Sequence, residues 1–172
     1  VAQHALILLL ALATRLPDYQ AAVRDGAWQR ASQFCLLDFP TIELQGKTLG
    51  ILGHGELGGA FARLAEALGM RVLYGALPGR PARADRLPLE ELLPQVDALS
   101  LHCPLTEQTR HLIGAAELAL LKPHALLLNT ARGGLVDEQA LAEALRAGHL
   151  GGAAFDVLLS LIHISEPTRQ EA

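Results

Sequence analysis

Gly53-His54-Gly55-Glu56-Leu57-Gly58 fits the spacing G-x-G-x-x-G, directly after a short apolar run and ahead of a helical pattern. Each glycine has a task in holding phosphate: Gly53 permits a tight turn, Gly55 lets the backbone approach a pyrophosphate, and Gly58 permits close packing of helix on strand. His54, Glu56 and Leu57 complete the turn at a helix start, whose free N–H groups and positive dipole end favour an anion. The spacing alone is weak, because a tight turn without a ligand uses the same glycines. The strand–turn–helix context is what points to a dinucleotide. In such a site an acid about 20 residues further on ordinarily holds the ribose 2′-hydroxyl. Here the end of the second apolar run reads Leu73-Tyr74-Gly75-Ala76, with no acid. Arg80 and Arg83 follow closely, where a reader of a 2′-phosphate would sit, although solvated loop charges would look the same. Either NAD or NADP therefore suits the segment from Ala76 to Arg83.

These groups need elements to position them, and the chain alternates short apolar runs with helical patterns. Thr48 to Leu52, Arg71 to Tyr74, Ala98 to His102, Ala125 to Asn129 and Gly151 to Val157 read as strands. Between them, Glu56 to Leu68, Leu89 to Leu93, Ala115 to Leu121 and Glu138 to Ala147 read as helices, the last ended by Gly148. Continuous apolar strands alternating with helices predict a parallel sheet covered on both faces. The fold class is therefore α/β, a doubly wound parallel sheet of the Rossmann type. Ahead of it, Gln3 to Thr14 reads as a helix apolar nearly all round, hence buried or subunit-contacting. Asp18 to Asp25 reads as an amphipathic helix closed by Gly26, and Ser32 to Gly46 as a covering loop. Residues 1–46 thus form a helical arm and covering loop, and residues 47–158 the dinucleotide-binding core.

Composition narrows the function classes. Of 172 residues, 51% are hydrophobic and 19% charged, which excludes a disordered tail and suits one domain. With 14 Lys and Arg against 18 Asp and Glu, the net charge of -4 argues against a nucleic-acid partner. The run Ala5 to Ala13 is shorter than the roughly 20 apolar residues of a membrane span, and no basic segment precedes it as in a signal peptide. Cys35 and Cys103 are too few and too far apart for a disulfide framework or a zinc cluster, so no metal is expected. A cytoplasmic location is the expectation.

Beyond single motifs, the chain resembles the nucleotide-binding domain of the D-isomer-specific 2-hydroxyacid dehydrogenases, and most of all their glycerate dehydrogenase/hydroxypyruvate reductase group. The residues carrying the resemblance are Val1-Ala2-Gln3-His4, Gly26-Ala27-Trp28, Leu44 to Gly58, Leu101 to Thr106, Asn129 to Glu138 and Gly151 to Val157. It implies hydride transfer between NAD or NADP and a small 2-hydroxy or 2-oxo acid. Arg132 matches the substrate-binding arginine, a guanidinium fork that would clamp a 2-oxo acid and polarise its carbonyl. Asp156 matches the acid that binds the nicotinamide carboxamide. Cys103 and Pro104 match the loop beside the nicotinamide ring, followed by Thr109, while Thr130 and Ala131 line the same pocket. His102 and His54 read as hydrogen-bonded loop histidines, His4 as a satisfied core or interface group, and Trp28 as an interface anchor. A homodimer through this domain is expected by resemblance.

Catalysis in the family also needs a glutamate–histidine pair after the fifth strand, the carboxylate favouring the imidazolium that donates the proton. The expected pattern stops at Leu158. The next eleven residues, Leu159 to Arg169, resemble the translation of a transposase-type DNA sequencing adapter. Residues 159–172 therefore read as a non-native tail on a truncated fragment of a two-domain dehydrogenase. His163 and Glu166 stand in the wrong order for the catalytic pair, and the fragment itself is expected to be inactive. The alternative function is a non-catalytic dinucleotide-sensing binding protein of the same fold.

Overall fold

The apolar runs become strands because both of their faces are covered. In a computed structural model that describes residues 1–159, β1 (Thr48–Leu52), β2 (Arg71–Gly75), β3 (Ala98–Leu101), β4 (Leu126–Asn129) and β5 (Gly152–Phe155) form a parallel sheet. The strand order is β2-β1-β3-β4-β5. Alternate side chains point to opposite faces. Leu49, Ile51, Leu126 and Leu128 pack with Ala5 and Leu9 of α1 (Ala2–Ala13) and Phe61, Ala62 and Ala65 of α4 (Glu56–Ala67). Leu52, Leu99 and Leu127 pack on the other face against α5 (Leu89–Leu92), α6 (Ala115–Leu120) and α7 (Glu138–Arg146), through Leu92, Leu118 and Leu141. The sheet is doubly wound, as its sequence pattern predicts.

The helical arm lies on the sheet along one stripe. In α1 the stripe Ala5, Leu9 and Ala13 is buried, but Ile7 and Leu10 on the far side are 54% and 36% exposed, so the helix is buried along one face only. α2 (Leu16–Arg24) follows after a bend of 61°, and among the described residues no single helix is long and apolar enough to cross a membrane. α3 (Ala27–Arg30) is a single turn, too short for a period to betray it. The loop of residues 32–46 is bonded to the arm: Leu44 is buried, Ile42 N–H donates to Ala13 O at 2.8 Å, and Tyr19 donates to Phe39 O at 2.8 Å.

Two of the helices start in contrasting ways. Asp137 caps α7 by accepting from the N–H groups of Gln139 and Ala140, both at 3.1 Å. The N-cap of α4 is Gly55, which supplies no side-chain acceptor, so the first-turn donors stay available.

The opposite, amino-terminal edge of the sheet is tied by Asp97. Its carboxylate accepts from Thr48 N–H at 2.8 Å, Lys122 Nζ at 3.0 Å and His124 Nε2 at 2.9 Å. Burial by itself would raise this carboxyl, but His124, the Thr48 amide and Lys122 outweigh it and hold it at about 2, against an ordinary 3.8. A depressed carboxyl stabilises the fold fully above pH 3.8 and loses that contribution as pH falls towards about 2. Asp97→Asn is expected to cost about 2 kcal/mol at neutral pH, from the shift at 1.36 kcal/mol per pH unit. It should also flatten the acid-side fall in stability, read from urea unfolding at neutral pH and at about pH 3. An unchanged acid response would remove Asp97 from it.

Candidate functional site

β1 crosses to β2 on one side and the chain returns past β1 to β3 on the other, which opens a crevice at the carboxyl ends of β1 and β3. The glycine turn lies there. Gly53 has φ +101, and a Cβ on it would overlap the backbone of His102 and Cys103 at the end of β3. A Cβ on Gly58 would overlap the carbonyl oxygen of Gly53. Both are thus dictated by backbone packing on backbone. Gly55 differs, because among the described residues no atom beyond its chain neighbours lies within 4 Å of the place its Cβ would take. Open space beside an uncapped helix start is what a diphosphate needs. Glu56 and Leu57, the latter 49% exposed, contribute to this cradle as first-turn main chain.

The cradle opens into a cleft of about 510 Å³. Its walls are the glycine turn, Gly75 and Ala76 at the end of β2, Arg80, Arg83 and Arg86, and His102 and Pro104 beyond β3. Among the described residues, no carboxylate lines it. Thr109 does not face this cleft but a smaller neighbouring cavity of about 200 Å³. Its hydroxyl donates to Pro104 O at 2.8 Å and accepts from Thr106 N–H at 2.8 Å, which stitches the loop that carries Pro104. His102 Nε2 meets Ser100 Oγ at 2.9 Å, and burial pushes the imidazole down to about 4, so it is neutral at ordinary pH. Cys103 is buried, and burial pushes its thiol up to about 11, which leaves it protonated and packed.

A second group of residues stands on the same edge of the sheet but does not line that cleft. Asn129, fully buried at the end of β4, donates from Nδ2 to Arg132 O at 2.8 Å and accepts at Oδ1 from Ala131 N–H at 3.1 Å. It thereby fixes the turn through Thr130, Ala131 and Arg132. The Arg132 guanidinium donates to Ala131 O at 2.7 Å and forms no ion pair among the described residues. Thr130 Oγ1 is buried, with no hydrogen-bond partner among them. Asp156 follows β5, and its N–H donates to Asn129 O at 3.3 Å.

Several positions on this edge of the sheet escape the sequence reading. His4 is not a core residue: 48% of its side chain is exposed, and Nε2 lies 3.4 Å from the Asp156 carboxylate. Asn129 could have been noticed as the polar residue that ends the run Leu126-Leu127-Leu128. Arg86 and Tyr74 carry no local signal at all. His163 and Glu166 lie outside the described residues.

A doubly wound sheet with this glycine turn at its crevice defines a dinucleotide-binding domain. Comparison with known proteins narrows the class. Residues 6–167 match the model of the D-isomer specific 2-hydroxyacid dehydrogenase, NAD binding domain. A glycerate dehydrogenase of Methylorubrum extorquens is 46% identical over 158 residues, covering 92% of this chain and 49% of that protein. The crystal structure of the TT0316 protein from Thermus thermophilus matches with a TM-score of 0.84 at 44% identity, over 98% of this chain and 53% of that one. An acyclic imino acid reductase solved with NADPH and D-Arg matches with a TM-score of 0.82 at 30% identity, over 98% and 53%. The chain belongs to the D-isomer specific 2-hydroxyacid dehydrogenase family and contains its NAD-binding domain. It spans about half the length of the relatives it matches.

Proposed function

We propose that the protein to which this domain belongs is an NAD(P)-dependent oxidoreductase that interconverts a small D-2-hydroxy acid and its 2-oxo acid, of the glycerate, hydroxypyruvate or glyoxylate type. The observation that carries the reading is Arg132, a guanidinium without an ion partner among the described residues, set by Asn129 on the same edge of the sheet as the glycine cradle. The nicotinamide, when bound, supplies or accepts the hydride. The chain's own residues do the rest. The Gly53–Gly58 turn and the first turn of α4 hold the diphosphate. Arg132 takes the substrate carboxylate and draws charge from its carbonyl. Asp156 receives the carboxamide, with His4 beside it to set its orientation. Pro104 and Cys103 form the apolar wall past the ring, Thr130 and Ala131 the opposite side.

In this reading the glutamate and histidine that move the proton are not residues of 1–158, and residues 159–172 are an adapter-derived tail. Sequencing the source DNA across the junction of Leu158 and Leu159 decides that point: an uninterrupted genomic reading frame through residue 172 would sink the tail assignment. The protein is further assigned as a cytoplasmic homodimer. Arg132→Gln in the protein carrying both domains is expected to lower kcat/KM with hydroxypyruvate by at least roughly 100-fold, as loss of charge-assisted bonds worth about 1.5–3 kcal/mol each implies. Wild-type kcat/KM in that variant would end the proposal. The present chain alone is expected to bind cofactor without turnover, and substantial turnover would show that the acid–base pair lies within it.

A further inference from the structure

We infer that Arg86, held by His54 and Tyr74, selects a dinucleotide bearing a 2′-phosphate, so that this domain takes NADPH in preference to NADH. The inference rests on reading the cleft as a dinucleotide site. His54, the variable residue between the first two glycines of the turn, stacks on Tyr74 with ring centres 4.1 Å apart and planes at 25°. The Arg86 guanidinium lies 5.2 Å from the centre of the Tyr74 ring, and one of its terminal nitrogens is 3.1 Å from His54 Nδ1. The chain is brought back to this place by main-chain bonds. Leu87 N–H donates to Tyr74 O at 2.9 Å, and Ala76 N–H to Leu87 O at 2.8 Å. Arg86 therefore stands at the end of β2, where an NAD-binding domain would ordinarily present an acid.

Among the three arginines that line the cleft, Arg86 is the one prepared for a ligand. Its side chain is only 12% exposed, and Nε has no hydrogen-bond partner among the described residues while it pairs in charge with the Asp85 carboxylate at 3.4 Å. Arg83 is 64% exposed and already bonded to Asp85 at 3.0 and 3.3 Å. Arg80 is exposed on the loop. A neutral 2′-hydroxyl gains little from a guanidinium and would need an acceptor, and among the described residues no carboxylate lines the cleft. A phosphate gains a planar fork held beforehand by the Tyr74 ring and by His54. His54 and Tyr74 are positioning residues in this arrangement.

Fluorescence titration of the chain with NADPH and with NADH tests the assignment. Arg86→Gln is expected to lower the ratio of NADPH to NADH affinity by roughly 10- to 100-fold, the worth of a hydrogen bond to a charged group. Arg86→Lys should recover only part of it, since a point charge replaces a stacked fork. Arg83→Gln should change the ratio by less than roughly threefold, as for an exposed ion pair. Competition on the unaltered chain needs no variant to fold: adenosine 2′,5′-bisphosphate should displace NADPH at least tenfold more effectively than adenosine 5′-monophosphate, roughly the worth of the added charged contact. Equal competition, an unchanged ratio in Arg86→Gln, or a loss carried by Arg83→Gln instead would each overturn the proposal. Binding of neither nucleotide by the unaltered chain would overturn the dinucleotide reading beneath it.

Discussion

Replacing Gly55 by valine is expected to remove dinucleotide binding while the domain stays folded. Gly55 has φ -95 and ψ -161, extended backbone that a β-branched residue adopts without strain, and its missing Cβ faces open space. The Cβ of valine therefore meets no described atom beyond its chain neighbours. Its methyl groups occupy the volume in which a diphosphate would approach the α4 amides. Losing two charge-assisted bonds there corresponds to a fall in affinity of roughly 100-fold or more. The stability cost should stay at about 1 kcal/mol or less, because the present cap already lacks a side-chain acceptor. Titration with NADH and NADPH beside a thermal melt separates the two effects. Wild-type affinity in Gly55→Val would mean that the phosphates do not pass this glycine, and collapse of the melt would mean that the space beside it is not free.

Phe61→Ala should have the opposite signature. Phe61 is fully buried on α4, in the cluster formed by α1, β1 and β4, and its ring lies 5.6 Å from that of His102. Removing it is expected to cost about 3–5 kcal/mol, the lost transfer energy together with the cavity left behind. A denaturant midpoint measures this, and a cost under about 1 kcal/mol would show that the interface of α4 with the sheet collapses to fill the gap. Because Phe61 also supports His102 in the cleft wall, cofactor affinity should weaken even in the fraction that remains folded.

The two variants divide what a local pattern can announce from what it cannot. The turn at Gly53 to Gly58 is visible because its three glycines are spaced by the geometry of a single strand–turn–helix unit. The strands at Thr48, Ala98 and Leu126 are visible because burial on both faces leaves continuous apolar runs. Asp137 and Gly148, at the two ends of α7, mark a helix by the chemistry of its own termini. The resemblance to the family likewise rests on ordered local motifs, and the match of residues 6–167 supports it.

The residues by themselves determined the doubly wound sheet, the place of the glycine turn and the family, because each depends on neighbours a few positions away. Tertiary structure alone decided which charges meet. Arg80 and Arg83 stand nearest to β2 in the chain, but Arg86 reaches its end, because Leu87 turns back to pair with Tyr74. His4 sits on a helix that looks wholly apolar, yet it faces Asp156 because α1 packs across β4 and β5 with one stripe buried and its first turn at their carboxyl ends. Asn129 closes an apolar strand, and only the turn folded over it shows that its amide holds Arg132 in place. Side chains far apart in the chain become partners through crossovers and chain reversals, and their spacing along the sequence carries no period that could have announced it.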